Sequence, residues 1–244
     1  MDFLHQVAVW LTASAHWHGP KGIPNRLTEH VVMSVAAVVT SVVIGLPIGL
    51  ILGHLGRGSV VAINVSNIGR AIPSLALLVF GAQIFGIGAI PPYLALVALG
   101  VPPIVTNAYT GIRQVDPDVI EAARGMGMTG GRILRRVELP MAVPLIMAGI
   151  RTAAVQVVAT ATLAAEVAWG GLGRYIVDGL AQHDTVQLFA GAVLIAVLSM
   201  LTELVLGGTQ RLVTPAGIRR AGRSTKQSVL PGTVTAPEAL SGVA

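Results

Sequence analysis

Long apolar segments without interruption constrain the fold of this chain more than any other feature of its sequence. Five of them are separated by polar stretches, at about residues 31–55, 60–86, 93–113, 141–165 and 186–210. Each is long enough to cross ~30 Å of hydrocarbon as a helix. Because they are apolar throughout and do not alternate, they predict helices and exclude a transmembrane barrel. The expected fold class is all-α, a polytopic helical membrane protein with about five transmembrane helices.

The overall composition agrees with a membrane location and limits the chemistry of the chain. Of the 244 residues, 53% are hydrophobic and only 11% are charged, against ~25% charged in soluble domains. The chain has no cysteine, which excludes disulfides and thiolate metal sites. His5, His16, His18 and His30 show no ligand spacing with a carboxylate, so we predict surface histidines and no metal site.

Two further functions are not supported by the sequence. Neither Lys21 nor Lys226 follows a glycine and precedes Ser or Thr as in a P-loop, so we predict no ATP hydrolysis by this chain and no cofactor. An intramembrane enzyme would need a catalytic pair, yet His54, at a segment end, is the one histidine in the apolar segments. The isoelectric point near 10.4 arises mainly from arginines beside membrane segments, which indicates membrane orientation and not nucleic-acid binding.

Three regions are expected along the chain. Residues 1–30 are predicted to form an extracytoplasmic N-terminal segment, with an interfacial helix at 3–18 anchored by Trp10 and Trp17 and a Gly- and Pro-rich connector at 19–30. Residues 31–212 are the predicted transmembrane domain. Residues 213–244 become basic and then polar, which predicts a disordered cytoplasmic tail.

The longest polar stretch between the first and last apolar segments is 116–140. It holds four of the eleven acidic and four of the sixteen basic residues of the chain. Asp116 is suited to cap a first short helix, which Gly127 would follow as a break. Thr129 is suited to cap a second helix, which Pro140 would close. This pattern predicts a compact two-helix loop between membrane segments.

The same loop resembles the EAA signature of ATP-binding-cassette importer permeases of type I. The matching residues are Glu121, Ala122, Ala123, Gly127, Val137, Leu139 and Pro140. Val137 stands where the family usually has isoleucine, which is a conservative change. The resemblance implies that the loop is cytoplasmic and couples the permease to a separate ATPase subunit. The alternatives are an ordinary basic loop and, for Glu121, a local helix pair with Arg124.

The wider sequence is similar to the osmoprotectant branch of these permeases, which handles glycine betaine, choline, carnitine, proline and related solutes. The matching segments are 71–75, 115–117, 148–153 and 170–173. The resemblance implies three protein partners, namely ATPase subunits, a second permease and an extracytoplasmic substrate-binding protein. The methionine branch shares the overall plan, so methionine is an alternative substrate, and a gradient-driven transporter is a further alternative.

The distribution of basic residues predicts the orientation in the cell membrane. With the 116–140 loop inside, eleven Lys and Arg residues of the loops and tail lie inside and three lie outside. The positive-inside rule then places the N-terminus outside and the C-terminus in the cytoplasm.

Residues within or beside the apolar segments form the remaining candidates. The resemblance and the local glycine and proline pattern indicate a pathway or gate at Pro73, Ser74, Asn107, Gly170, Gly171 and Gly173. For the three glycines the alternative is a plain glycine turn into a short helix. Three charges lie inside the segments, at Arg70, Arg151 and Glu203. Because an unpaired charge in hydrocarbon is costly, we expect Glu203 to pair with an arginine, Arg151 by preference. Gly45, Gly49 and Gly53 form a glycine face suited to close helix packing.

Overall fold

The computed structural model describes residues 2–56, 73–167 and 169–214, and the secondary structure in these ranges is helical. The α-helices are α1 Phe3–Thr12, α2 Ile23–His54, α3 Ser74–Phe85, α4 Ile90–Arg113, α5 Pro117–Gly125, α6 Gly130–Ile133, α7 Leu139–Thr160, α8 Gly173–Ala181 and α9 Thr185–Val213. Tighter or wider turns occur at Ser14–His16 (3-10), Leu134–Glu138 (π) and Ala161–Val167 (3-10). Arg70, part of the second predicted segment (60–72) and most of the predicted tail (215–244) lie outside the described residues.

The predicted all-α membrane class is confirmed in the described ranges. Four helical stretches there are long and apolar enough to cross a membrane: Ile23–His54, Ile90–Arg113, Gly130–Val167 and Thr185–Val213. The second predicted segment is described only in its last part, as the shorter apolar helix α3.

Helix α2 begins earlier than the sequence predicted. The residues expected to form the end of a connector, 23–30, are its first two turns, with Gly22 as the N-cap and Pro24 in the first turn. Proline is tolerated there because the first N–H groups of a helix have no intrahelical partner. The connector interpretation was therefore wrong for these residues.

The prediction that Pro140 closes the second loop helix is also wrong. Helix α6 continues through the π turn into α7, and the N–H of Leu139 donates to the carbonyl of Leu134, five residues earlier. Proline has no N–H to offer to an α-helical ladder. In the second position of α7, Pro140 adjoins the wider turn and begins the membrane helix instead of ending the loop helix.

Close packing of α2 on α4 forms the centre of the helical assembly. A Cβ atom at Gly49 would lie 2.6 Å from the Cβ of Ala108, and one at Gly53 would lie 2.7 Å from the Cβ of Ile112. The predicted glycine face is therefore a helix contact. The same two α4 residues also pack against α7, in the buried cluster Ala108, Ile112, Ala142 and Ile146.

Two ends of this assembly carry the candidate residues. The loop side is formed by the ends of α2 and α4, by α5 and α6, and by the start of α7. The glycine side is formed by the start of α2, the end of α7, residues 169–173 (hereafter the glycine segment), and α8. Helix α1 is shorter than the predicted 3–18 and packs on this side, with Phe3 against Phe189 and Trp10 against Tyr175.

Candidate functional site

The 116–140 loop folds as a short helix, a glycine turn and a second short helix. The N–H of Asp118 donates to Oδ1 of Asp116 at 2.9 Å, which caps α5 as predicted. Gly127 follows α5 with φ +77°, a conformation that L side chains rarely adopt. The N–H of Met128 then closes the turn on the carbonyl of Ala123 at 3.1 Å. Thr129 is the N-cap of α6, but its side chain makes no capping hydrogen bond.

The residues of the EAA-like motif divide between an exposed face and a packed face. Ala123 is buried, whereas Glu121 and Ala122 are exposed on α5. The helix pair of Glu121 with Arg124 is absent from the ion pairs of the described residues. Leu139 packs against the α4–α7 cluster. Val137 and Pro140 are half-buried beside it.

A hydrogen-bonded His–Glu contact fastens this loop to α2. His54 Nδ1 lies 2.6 Å from Glu138 Oε2, and Glu138 is almost fully buried in the π turn. The same histidine faces the start of α6, because a Cβ atom at Gly130 would lie 3.3 Å from its Nε2. The pair joins residues 84 positions apart, and the one sequence feature that could have indicated it is a histidine at a segment end.

A cleft of about 250 Å³ opens beside this pair on the loop side. Its charged lining includes Arg113, Glu121 and Arg124 together with Glu138. The first three side chains are exposed and make no ion pair with other described residues. The arrangement leaves charges of both signs available for contact with another molecule.

On the glycine side, the carboxylate of Glu29 on α2 occupies space beside Gly170 that a side chain there would fill. The N–H of Gly171 donates to Oε2 of Glu29 at 2.7 Å, and Arg26 Nη1 lies 2.9 Å from the same oxygen. Gly171 has φ +84°, and a Cβ atom at Gly170 would overlap the carboxylate of Glu29. The glycine segment is therefore held against α2 by a charge-assisted contact.

His30 lies next to this contact and is buried, so the prediction of a surface histidine is wrong here. Its Nε2 lies 2.9 Å from the carbonyl of Val158, at the end of α7. The interior position follows from the helical start of α2, which turns His30 towards α7. His16 and His18, by contrast, bind backbone carbonyls of Trp10 and Ser14.

Tyr175 fixes α8 to the N-terminal region on the same side. Its hydroxyl donates to the carbonyl of Lys21 at 2.7 Å. Burial raises the pKa of this phenol, with Arg26 acting to lower it and Glu29 to raise it further. The hydroxyl thus stays protonated at neutral pH and remains a donor.

The candidate pathway residues are distributed over separate places. Ser74, following the N-cap Pro73, lines a small cavity with Thr160 and Ala164, close in sequence to the glycine segment. Asn107 lies elsewhere, on α4, where its Nδ2 donates to the carbonyl of Pro103 at 2.8 Å and a Cβ atom at Gly149 would meet its side chain. Gly173 begins α8 and is buried.

Arg151 and Glu203 meet between α7 and α9. Arg151 Nε lies 3.4 Å from Glu203 Oε1, with about a third and a half of the two side chains exposed. Gly207 leaves room for the guanidinium, since a Cβ atom there would lie 3.5 Å from Nη1. The pair expected from the sequence is present.

Comparison with known proteins identifies the family. Residues 45–216 match the family described as "Binding-protein-dependent transport system inner membrane component". The chain belongs to this family.

Individual members of the family are similar to this chain over most of its length. The chain is 40% identical over 192 residues to the choline transport system permease protein OpuBB of Bacillus subtilis, covering 79% of this chain and 88% of the relative. It is 40% identical over 191 residues to the glycine betaine/carnitine/choline transport system permease protein OpuCB of the same organism, covering 78% and 88%.

A solved structure shares the fold of this transport component. The inward-facing MetNI methionine ABC transporter aligns with a TM-score of 0.67 and 26% identity, covering 77% of this chain and 94% of that chain.

Proposed function

We propose that this inner membrane component is the permease subunit of an ATP-driven importer, coupled to a separate ATPase through the 116–140 loop. The main support for the proposal is that the EAA-like motif has one exposed face and one buried face. Glu121 and Ala122 are exposed, with Glu121 lining the charged cleft, whereas Ala123 and Glu138 are buried and Glu138 holds the loop to His54 of α2. A fixed loop with an exposed polar face is suited to transmit force from a docked protein.

The proposal includes an orientation with the loop side in the cytoplasm. Among the described residues, Arg113, the four loop arginines and Arg211 lie at that end of their helices. Lys21, Arg26 and Arg174 lie at the glycine side. The excess on the loop side supports an extracytoplasmic N-terminus and a cytoplasmic C-terminus.

A substrate-binding protein and a second permease complete the proposed complex. The glycine segment and Ser74 on the glycine side form the proposed gate or contact for a binding protein that delivers substrate from outside. The second permease is a copy of this chain or a related chain, and the transport pathway runs between the two. An apolar groove of about 350 Å³ between α2, α7 and α9 leaves membrane-facing surface available for lipid or a neighbour.

We further propose that the transported solute is an osmoprotectant such as glycine betaine, choline, carnitine or proline. The support is the naming of the relatives that cover most of this chain. Aromatic residues are only 4% of the sequence, whereas quaternary ammonium groups are bound by aromatic cages. Recognition therefore belongs mainly to the binding protein. Methionine is the second candidate, favoured by the methionine transporter as structural neighbour.

Gly127 provides a test of the coupling role. Valine at this position must adopt a left-handed conformation, at a cost of about 1–2 kcal/mol, although no atom within 4 Å would clash with its Cβ. In the complex with its ATPase, Gly127→Val should leave membrane insertion intact while ATP hydrolysis no longer drives transport.

Gly131→Val is the matched control, because Gly131 lies in the same loop without a positive φ and with open space around it. It should transport at a rate close to wild type. Co-purification of a P-loop ATPase with the wild-type chain tests the docking itself, and normal transport by Gly127→Val would refute the role of the turn.

A further inference from the structure

Helix α2 contacts both candidate regions, one at each end. At the loop side its His54 binds Glu138 at 2.6 Å, and at the glycine side its Glu29 accepts the N–H of Gly171 at 2.7 Å. These two residues are 25 positions apart in one α-helix, which corresponds to about 38 Å at 1.5 Å per residue. The helix therefore spans most of the distance between the loop and the glycine segment.

The contact at the loop side is built as a fastening. Glu138 is 4% exposed, and a buried carboxylate requires a hydrogen-bonding or charged partner. Its partner among the described residues is His54, whose ring is also placed against Gly130 at the start of α6. One side chain of α2 thus contacts both ends of the α6–π turn segment.

The body of α2 is braced against bending by α4. Gly45 and Gly49 lie on either side of Pro47, and a Cβ atom at either would meet α4 within 3.3 Å. Proline removes one hydrogen bond from a helix and favours a kink at that point. Because α4 packs against both neighbouring turns, α2 is supported on each side of the proline.

The contact at the glycine side is equally specific. Glu29 Oε2 receives both the N–H of Gly171 and the guanidinium of Arg26, and the space beside it exists because residue 170 has no side chain. The backbone N–H of Gly171 is therefore bonded to α2 through a carboxylate oxygen that Arg26 also holds, while Leu172 packs in one cluster with Ile23 of α2.

We propose that α2 carries the displacement of the 116–140 loop to the glycine segment, and that His54 is the positioning residue that fastens the loop to this helix. The inference rests on the proposed function, because ATPase docking supplies the displacement. In this mechanism the His54–Glu138 contact stays closed throughout the transport cycle. Its loss separates ATP hydrolysis from transport without preventing ATPase binding.

Three variants of the complete complex, reconstituted with its ATPase and binding protein, test the role of His54. His54→Ala removes the contact, whereas His54→Asn keeps an amide nitrogen near the position of Nδ1. His5→Ala is the matched control, because His5 is exposed on α1 and its side chain makes no hydrogen bond with the other described residues. The quantity measured is ATP hydrolysed per molecule of choline or glycine betaine taken up.

We expect this ratio to rise about fivefold or more in His54→Ala, and to stay near the wild-type value in His54→Asn and His5→Ala, with the ATPase retained in all. An unchanged ratio in His54→Ala, or an equal rise in His54→Asn, would overturn the inference. Failure of the wild-type chain to retain an ATPase would instead count against the proposed function.

A cross-link tests whether transport requires the contact between positions 54 and 138 to stay closed or to open. The chain has no cysteine, so His54→Cys with Glu138→Cys offers a unique thiol pair within it, which a short bis-methanethiosulfonate linker can join. Joining the thiols should bring the ratio of the double variant back towards wild type, with each single-cysteine variant treated as control. No recovery, or a further loss of transport on linking, would show that a closed contact is not what transport requires.

Discussion

Arg151 and Glu203 place a charged pair about midway along two membrane helices. Arg151 lies twelve residues after the start of α7, about 18 Å along the helix axis. An unpaired charge at such a depth costs about 2.5 kcal/mol or more. The contact therefore stabilises the packing of α7 on α9 in the membrane.

Removal of one partner should cost more than removal of both. We predict that Glu203→Gln lowers stability by about 2.5 kcal/mol, because it leaves Arg151 without its counter-charge. Adding Arg151→Gln should restore most of this loss. Thermal unfolding of the detergent-purified variants measures both values, and full additivity of the two penalties would show that the pair contributes nothing.

At the residue scale, the sequence predicted contacts that depend on depth but not contacts that depend on the fold of a loop. Arg151 and Glu203 both lie inside apolar segments, and the cost of an isolated charge there required a partner. The His54–Glu138 pair could not be obtained in this way, because its geometry depends on the π turn at Leu134–Glu138. The contact of Glu29 with Gly171 was likewise not predicted, because residues 19–30 were interpreted as a connector.

The glycine face of α2 determines how closely this helix approaches α4. Gly49 is the tightest point of this face, since a Cβ atom would lie 2.6 Å from Ala108 Cβ and 2.7 Å from the carbonyl of Val105. A backbone carbonyl cannot move aside as a flexible side chain does, so any larger residue must separate the helices.

Leucine at Gly49 should reduce stability and recovery of the assembled complex. Overpacking of a close contact costs about 1–3 kcal/mol, here through separation of α2 from α4. Gly208→Leu on α9 is the control, because no atom within 4 Å would meet its Cβ. Recovery after solubilisation and the unfolding temperature of both variants check the prediction; a fully assembled and active Gly49→Leu protein would contradict the close-packing account.

At the element scale, proline misled the prediction of helix boundaries. Pro24 and Pro140 were interpreted as signs of a connector and a helix end, yet both lie in first turns of long helices. A single proline fits a first turn as well as a break, and the apolar residues that follow decide between them only weakly. The capping of α5 by Asp116 was predicted correctly, because its carboxylate and the following proline act within one turn.

At the scale of the whole molecule, the two candidate regions lie at opposite ends of α2, while α4 and α7 pack along the length between them. Apolar segments were sufficient to predict the membrane class and the loop between the third and fourth segments. The attachment of the glycine segment to α2 joins residues 142 positions apart, and it could not be predicted without the helix packing.

We propose that this chain imports an osmoprotectant at the expense of ATP hydrolysed by a partner. The most direct test is uptake of radiolabelled choline, glycine betaine, carnitine, proline and methionine into proteoliposomes that hold the chain with its ATPase and binding protein. We expect uptake of at least one osmoprotectant when ATP is present on the ATPase side, and none with a non-hydrolysable analogue. Uptake of methionine alone, or uptake driven by an ion gradient without ATP, would contradict it.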